Sequence, residues 1–590
     1  MPYSQQTSAQ AAFRRCFLVA GIASVVFSTL SFALQPIART DVVPYQRIEY
    51  GTTFAFGVVA FSKAGIDRVE FAISGQGYSG STKTSDSMTL NTRLAHTESA
   101  VPMASWPGVY EYHVDISADE FTSNGPITVT PTVYGDDAGI RTLSAVTLIV
   151  EGASSSIPHY AIVNSSTGND GAGQADSPTN KFQTLAAAVA AAQSANGGSS
   201  SGNMIYLEEG TYTLGSGTVS TSNEWLTIRN ANGASRDNVI IDDGGSSIGG
   251  GDLVKFEGLT LYSSESFDWV IDTRPGKPND GAIVWVHDCK LTSPGRYAAT
   301  SLVEANVHPL NSAEYITDTY AYDVDRAASS RRLIRNLTAR KIAEDLVRNV
   351  SGLLVNVRLD DQNNGSNAGQ TNYWHSDGYQ NFLRSMNNEI VYNFYGTDMH
   401  YQGLFIRITN TSNGGDDVAF VNVFMEMREP GTKGSAGGTP QLSSGSIYFD
   451  SNDSPHWNHL LMWHCSFPTR PYAVTEVSGC GGDPQPEGCP QWHSKAPDSD
   501  ASRDTFSHGG KYWPQVLDMT DTTTYSNFGY PDIENGAVLL DRLPPTLPGV
   551  PAAVFGHRRD DAPDVGAVEL TSSDASPPLP PSSLKVQIAP

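Results

Sequence analysis

Three short polar signatures at nearly regular spacing constrain this chain more than any other feature. They read AEDLVR at 343–348, WHSDGYQ at 374–380 and HYQGLF at 400–405, and each leads into an apolar, strand-like run. Asp345, Asp377 and Gln402 occupy matching places in them, 32 and 25 residues apart. Such separations are typical of one coil of a stacked solenoid, in which equivalent positions lie ~4.8 Å apart. The pattern therefore predicts stacked coils that gather these side chains on one outer face.

The first residues of the chain predict secretion. Arg14 and Arg15 precede an apolar run over residues 16–30, and Ser31-Phe32-Ala33 has the small-x-small form of a signal-peptidase site. We expect residues 1–33 to be a signal peptide and the mature protein to be extracellular or periplasmic. The apolar run is shorter than the roughly 20 residues of a membrane-spanning helix, so we expect no stable membrane insertion.

Charge and cysteine content narrow the choice of partners and of compartment. The formal net charge is −25, and nucleic-acid binding depends on cationic neutralisation of phosphates, so we expect no nucleic-acid partner. Cys480 and Cys489 bracket a loop rich in Gly and Pro, which favours a local disulfide in an oxidising compartment. Cys289 and Cys465 lie in apolar, strand-like runs and are predicted to be buried thiols.

The chain divides into two parts of different pattern. Residues 42–152 contain short alternating runs such as 67–73, 109–114 and 145–150, which predict a small antiparallel, immunoglobulin-like β-sandwich. Residues 153–158 are rich in Ser and end in Pro, as a linker does, so we expect the sandwich to be separable. A strand at 160–163 and an amphipathic helix at 181–195 follow, and then strand, turn and strand units.

Two segments of the second part carry a family resemblance. Residues 160–212 combine a short strand, a Gly/Asn/Asp loop, an amphipathic helix and a strand ending in Gly-Thr-Tyr, and DVGAVEL at 564–570 resembles an Asp-Ile-Gly-Ala-x-Glu ending. Both are similar to secreted right-handed parallel β-helix proteins of the pectin-lyase-like superfamily, which includes polysaccharide lyases. The resemblance implies an all-β fold, a right-handed parallel β-helix with an N-terminal cap helix over residues 159–570. Residues 571–590 are expected to be a disordered Ser/Pro-rich tail.

Repeated apolar runs support the same fold without the resemblance. Residues 353–357, 388–393 and 418–423 recur at coil-like intervals, each with an apolar core, and two of them carry Asn at a comparable place. Asn in such positions can stack into side-chain amide ladders, which is a structural role.

The three signatures also supply the candidate site. Asp345 and Asp377 could bind Ca²⁺ through their carboxylates, act as the acid and base of an inverting hydrolase, or cap turns. His375 is the leading candidate for proton transfer near neutral pH. Arg348 and Arg407 are predicted catalytic or carboxylate-binding residues. The predicted substrate-binding residues are Trp374, Gln380, Arg384, His400 and Gln402.

The resemblance implies a secreted lyase that cleaves an acidic, uronate-containing polysaccharide by β-elimination, and we expect a monomer. The Lys and Arg pair of chondroitinase-B-like and alginate-lyase members has no clear counterpart here, so the base and acid stay open. The alternatives are a β-helix glycoside hydrolase that uses Asp345 and Asp377, an epimerase of the same fold, and a non-catalytic glycan-binding or adhesive protein.

Overall fold

The computed structural model shows a chain built mostly of β-strands, with one α-helix and three short 3-10 helices among the residues that it describes. The predicted all-β class is therefore confirmed. The described residues are 35–62, 65–100, 105–213, 219, 221, 223–242, 252–262, 271–272, 282–293, 310–311, 315–324, 327, 332–342, 345–348, 350–362, 377–382, 386–399, 402–407, 415–427, 447–450 and 460–463.

The first twelve strands form the sheets of the N-terminal part, called here the sandwich. They are β1 (Ile37–Thr40), β2 (Arg47–Ile48), β3 (Thr53–Phe61), β4 (Ile66–Ser74), β5 (Lys83–Ser85), β6 (Thr89–Asn91), β7 (His96–Thr97), β8 (Ser105–Trp106), β9 (Val109–Ser117), β10 (Asn124–Gly135), β11 (Ile140–Thr142) and β12 (Val146–Glu151). The 3-10 helices are Thr92–Leu94, Ala118–Glu120 and, further along the chain, Arg236–Asn238.

Two main sheets share the core of the sandwich. One has the order β1-β3-β9-β6 and the other the order β2-β12-β10-β4-β5, with β11 beside β10. Their strands pair antiparallel, except that β2 runs parallel to β12. Phe56 of the first sheet meets Phe71 of the second edge-on, with ring centroids 5.8 Å apart. The antiparallel sheets were predicted, but they begin earlier, since β1 starts at Ile37 rather than after residue 42.

The only α-helix among the described residues follows the linker. α1 spans Leu185–Ala195, and the side chain of Thr184 accepts a hydrogen bond from the backbone N–H of Ala187. This N-cap explains why the helix begins four residues after the predicted start at 181. Leu185, Ala188, Val189 and Ala192 are buried on one face. The face packs on the first parallel strands, as a helix that covers the end of a stack would.

The remaining strands build the second part, called here the stack. They are β13 (Tyr160–Val163), β14 (Met204–Leu207), β15 (Gly210–Thr213), β16 (Leu226–Asn230), β17 (Val239–Asp242), β18 (Leu253–Glu257), β19 (Thr260–Tyr262), β20 (Ile271–Asp272), β21 (Ile283–His287), β22 (Lys290–Thr292), β23 (Leu310–Asn311), β24 (Tyr315–Val324), β25 (Leu333–Ile342), β26 (Val347–Arg348), β27 (Leu353–Gln362), β28 (Asp377–Phe382), β29 (Met386–Met399), β30 (Gln402–Arg407), β31 (Gly415–Met427), β32 (Ile447–Asp450) and β33 (Leu460–Trp463).

All pairings among the described strands of the stack are parallel, and all but one follow three strips, since β20 pairs only with β23. The first strip has the order β13-β14-β16-β18-β21-β24-β25-β27-β29-β31-β33, the second is β15-β17-β19-β22, and the third is β26-β28-β30-β32. β24 pairs with β21 through its first half and with β22 through its second, so it joins the first two strips. Apolar side chains between the strips form one continuous core, in which Cys289 is a free, fully buried thiol as predicted. The other cysteines of the predicted mature chain lie outside the described residues.

A column of left-handed residues marks the bend between the first two strips. Asp318, Asn336, Asn356, Asn393 and Asn422 have φ between 53° and 54°, a conformation that Asn and Asp tolerate better than other non-Gly residues. Each Asn donates through Nδ2 to the side-chain oxygen of the residue one coil earlier, at 2.6 to 3.1 Å. The predicted amide ladder is confirmed, and it extends beyond the three predicted runs to Asn336 and to Asp318 at its end.

The sandwich covers the first strip of the stack. Its core belongs to one hydrophobic cluster with side chains of that strip, and Phe61 meets Tyr392 edge-on at 5.2 Å. The stack residues in that cluster are Trp225, Leu253, Trp285, Tyr315, Leu333, Leu353, Val355, Ile390, Tyr392, Ala419 and Val421. The described residues belong to one compact unit. This shared core argues against the expectation that the sandwich is separable, because its removal would expose the apolar row.

Candidate functional site

The predicted stacking of the polar signatures is present in the third strip. Arg348 in β26 lies opposite Gln380 in β28, and Gln380 lies opposite Phe405 in β30. Asp377 lies opposite Gln402. These partners confirm the alignment that the 32- and 25-residue spacings predicted, so the signatures do occupy equivalent places in successive coils.

Burial corrects the predicted outer face. Asp345 is 1% exposed, Asp377 0% and Gln380 6%. Side chains two residues apart in a strand point the same way, so Asp377 shares a strand face with Tyr379. Tyr379 packs in the core of the stack. Asp345 lies two residues before β26 and is buried as well. The two carboxylates therefore point inward and not toward solvent.

Hydrogen bonds connect the polar groups of this buried cluster. Asp345 Oδ1 accepts from the backbone N–H of Asp377 at 3.1 Å, and Asp377 Oδ2 accepts from Gln380 Nε2 at 2.8 Å. Gln362 Nε2 donates to the carbonyl of Asp377 at 2.9 Å. The bond from Asp377 to Asp345 ties one coil to the next, which is the capping role that was one of the open alternatives.

The other predicted site residues are not tested by the geometry. Trp374, His375, Arg384 and His400 lie outside the described residues. Gln402 and Arg407 lie in β30, opposite Asp377 and Phe382. Their predicted roles stay predictions.

The predicted Ca²⁺ site has a small donor set. No group of three or more His, Cys, Asp or Glu side chains that could hold a metal ion occurs in the described part of the chain. Asp345 and Asp377 are two carboxylates, whereas Ca²⁺ takes six to eight oxygen ligands. The metal role of Asp345 and Asp377 stays a prediction, and none of the chemistry below depends on it.

An open cleft of about 690 Å³ lies between the sandwich and the stack. Arg39, at the end of β1, and Arg141, in β11, line it from the sandwich. From the stack it is lined by Tyr315 at the start of β24, by Arg332 just before β25, and by Ser351 and Asn388. We call this space the arginine cleft.

The cleft is cationic in a strongly anionic chain. Three arginines line it, and none of its described lining residues is Asp or Glu, although the chain carries a formal charge of −25. Arg332 Nη1 donates to the Tyr315 hydroxyl at 3.2 Å, and Arg141 Nη2 forms an ion pair with Asp417. Planar guanidinium groups bind carboxylates through paired hydrogen bonds. The arrangement is suited to an acidic ligand.

The direction of the cleft follows from strand register. Tyr315 pairs with Leu333, Leu333 with Leu353, and Leu353 with Ile390. The lining residues of the stack lie within two residues of these positions, so the cleft crosses four neighbouring strands. At ~4.8 Å per strand spacing, three spacings cover ~14 Å along the stack. An elongated ligand would therefore lie along the stack axis.

Sequence reasoning missed the arginines of this cleft. It selected Arg348, Arg384 and Arg407, because they lie near the polar signatures. Arg39, Arg141 and Arg332 come from distant parts of the chain and share no local motif. The one local signal is the Arg331-Arg332 pair directly before an apolar strand, and it does not reveal which residues of the sandwich lie opposite.

A second charged cluster is enclosed between the sandwich and the stack. Arg335 Nη1 donates to Asp41 Oδ1 at 2.6 Å, and these side chains are 8% and 0% exposed. Burial raises the pKa of Asp41 to about 6, although Arg335 opposes this shift. Burial also acts to raise the pKa of Asp318, but the hydrogen bond from His287 and the charge of Arg335 outweigh it and lower that pKa to about 2.

Glu111 belongs to the same enclosed cluster. Burial raises the pKa of its carboxyl well above the usual range, and the negative charge of Asp41 adds to the shift. Its Oε1 accepts from Asn91 Nδ2 at 2.7 Å. Because these groups are closed off from solvent, we assign them to the contact between the sandwich and the stack and not to ligand binding.

Comparison with known proteins gives no relative to which the site can be matched. No protein-family model, no curated protein and no solved structure matches the chain. Within the described ranges, no helix is both long and apolar enough to cross a membrane.

Proposed function

We propose that this chain is a secreted polysaccharide lyase that cleaves an acidic, uronate-containing polysaccharide by β-elimination. The proposed architecture is a right-handed parallel β-helix with α1 as its N-terminal cap, preceded by an immunoglobulin-like sandwich. Three strips of parallel strands and a ladder of left-handed Asn residues support a β-helix. Two facing, mainly antiparallel sheets support an immunoglobulin-like sandwich.

The observation that carries the function is the arginine cleft. A lyase has to neutralise the uronate carboxylate before the neighbouring C5 proton can be removed. Arg332 and Arg141 are placed to bind such carboxylates, and the cleft runs along the stack as a polymer would. A neutral polysaccharide would offer these guanidinium groups no carboxylate to bind.

The elimination also needs proton transfer. A base takes the C5 proton, the electron pair forms the C4–C5 double bond, and the C4–O bond breaks while the leaving oxygen receives a proton. The Tyr315 hydroxyl is held by Arg332 inside the cleft and is one group that could carry a proton there. His375 remains the residue that the sequence predicts for this role.

The hydrolase alternative has weaker support. A glycosidase needs two carboxyl groups that reach the scissile bond, and Asp345 and Asp377 are almost completely buried. A non-catalytic glycan-binding protein would use the same cleft, so an experiment has to distinguish binding from cleavage.

The test is incubation of the secreted protein with alginate, pectate, ulvan and glycosaminoglycans, with and without a calcium chelator. A new ultraviolet absorbance from an unsaturated uronate product is expected for at least one acidic polymer. New reducing ends without that absorbance would identify a hydrolase, and retention without cleavage would identify a binding protein. A neutral glucan is the control polymer and should be neither retained nor cleaved.

A further inference from the structure

The two walls of the arginine cleft come from different parts of the chain. Arg141 belongs to β11 of the sandwich, whereas Arg332 precedes β25 of the stack, 191 residues later in the sequence. We infer that the sandwich is one half of the ligand site: an acidic glycan lies between the walls, with Arg141 and Arg332 binding its carboxylates from opposite sides.

The hydrogen bonds of Arg141 indicate how a ligand would be held. Its Nη2 is ion-paired with Asp417, which lies in β31 of the stack. Its Nε is buried and has no hydrogen-bond partner among the described residues. Nε–H and the neighbouring Nη2–H form one edge of the guanidinium, which matches the two oxygens of a carboxylate. Asp417 accepts from Nη2 and not from Nε. A ligand carboxylate that replaces Asp417 would accept hydrogen bonds from both Nε and Nη2.

Asp417 therefore acts as an internal substitute for the ligand. In the free protein its carboxylate neutralises Arg141 at the edge of the cleft, where the side chains of Arg141 and Asp417 are 14% and 22% exposed. When an acidic chain binds, Arg141 exchanges one carboxylate for another. The Arg141 guanidinium is therefore paired with a carboxylate in both the free and the bound state. This favours a ligand that presents carboxylates over a neutral one.

Arg39 has a different role in the same wall. Its Nη2 donates to the carbonyl of Asn387 at 2.8 Å, and its Nε donates to the carbonyl of Asn388. The side-chain amide of Asn388 in turn exchanges two hydrogen bonds with the backbone of Ala38, at 2.7 and 3.0 Å. Arg39 thus fixes β1 against β29 and positions the wall that Arg141 belongs to.

The inference rests on the proposed function for the ligand class, an acidic glycan, but not on cleavage. A ligand that bridges the two walls also favours the docked arrangement of sandwich and stack. Binding should therefore raise the unfolding temperature, since a ligand that binds only the folded state stabilises it.

The experiment measures binding and unfolding of the full secreted chain with oligomers of polygalacturonate, dextran sulfate as a polyanion without carboxylates, and neutral dextran. The variants are Arg141→Ala, Arg332→Ala, the double variant and Asp417→Asn. Arg93→Ala is the matched control, because it removes one arginine of the sandwich that is ion-paired with an exposed Asp115. Asn tolerates the left-handed φ of 56° at Asp417, so that substitution removes charge without straining the backbone.

We expect Arg141→Ala and Arg332→Ala each to weaken polygalacturonate binding about tenfold or more, and Arg93→Ala to leave it within twofold. Asp417→Asn should strengthen binding severalfold, and the ligand should raise the unfolding temperature of the wild type.

If Arg141→Ala binds like Arg93→Ala while Arg332→Ala loses binding, the sandwich is not part of the site and the inference fails, although the proposed function stands. Equal affinity for dextran sulfate, or an unchanged affinity of Asp417→Asn, would overturn the exchange of carboxylates. If the wild type binds no polyanion, the inference and the proposed function both fail.

Discussion

Asn356 donates a hydrogen bond from Nδ2 to Oδ1 of Asn336, 2.9 Å away, and both residues have a left-handed φ of 54°. The same Asn356 amide also donates to the carbonyl of Gly108 in the sandwich at 2.9 Å. One buried side chain thus joins two coils of the stack and holds the sandwich against them. The ladder serves both as the corner of the coils and as part of the contact between the two parts of the chain.

The first prediction concerns this ladder. Asn356→Ala removes the hydrogen bonds and places a residue with a Cβ but no compensating amide in the left-handed region, so we expect a loss of roughly 2–4 kcal/mol in the free energy of unfolding. Asn356→Gly removes the hydrogen bonds alone and should cost about 1–2 kcal/mol less than Ala. Urea denaturation of both variants measures the difference. Asn387→Ala, with its exposed side chain in the neighbouring strand β29, is the control, and equal losses for Ala and Gly would show that the backbone conformation contributes nothing.

The second prediction concerns the sandwich as a whole. A chain without residues 35–152 exposes the apolar row that includes Trp285, Leu353 and Tyr392, so we expect it to aggregate or to bind a hydrophobic dye strongly. Size-exclusion chromatography and dye fluorescence of the shortened chain provide the measurement. A monodisperse remainder that unfolds cooperatively would show that the shared core is dispensable.

The third prediction concerns pH. The folded-state pKa values of Glu111 and Asp41 are raised, to about 6 for Asp41, whereas carboxyl groups of an unfolded chain titrate near ~4. The folded state therefore binds more protons in this range, and stability should fall as pH rises from ~4 through the folded pKa values. Thermal unfolding between pH 4 and 8 tests the direction.

A matched pair of variants tests whether Glu111 causes this pH dependence of stability. Glu111→Gln keeps an oxygen to accept from Asn91 and removes the titration, so the decline toward high pH should become shallower. Asp115→Asn, which changes an exposed carboxylate, should leave the profile unchanged. If Glu111→Gln has the wild-type profile, Glu111 does not cause the decline.

The fourth prediction separates structural from catalytic residues among the polar signatures. Asp377 is fully buried and bonded to Asp345 and Gln380, so we expect Asp377→Asn to cost roughly 1–3 kcal/mol of stability while the folded fraction keeps its specific activity. His375→Ala should instead lower turnover by at least about a hundredfold with little change in stability. Activity and unfolding are measured on the same samples. A large loss of specific activity in Asp377→Asn without loss of stability would indicate that this carboxylate is catalytic.

The sequence alone determined much of the local architecture. Alternating apolar residues specified strands such as β4 and β9, and the 32- and 25-residue spacings specified which residues of β26, β28 and β30 lie opposite each other. Recurrent Asn specified the ladder, because a left-handed corner in each coil favours the residue type that tolerates it and can bond to its neighbour. These features depend on contacts between nearby residues or on a repeat, and both are visible in a linear pattern.

Only the tertiary structure decided which faces are buried and which residues form the cleft. Asp345 and Asp377 have the spacing of a functional pair, yet both side chains are buried, and strand alternation turns Asp377 toward the core with Tyr379. Arg39, Arg141 and Arg332 meet because the sandwich docks on the first strip of the stack, and that docking arises from apolar burial spread over many residues. Hydrophobic contact has no direction and leaves no motif in the sequence, so the partners that it brings together can be read only from the folded chain.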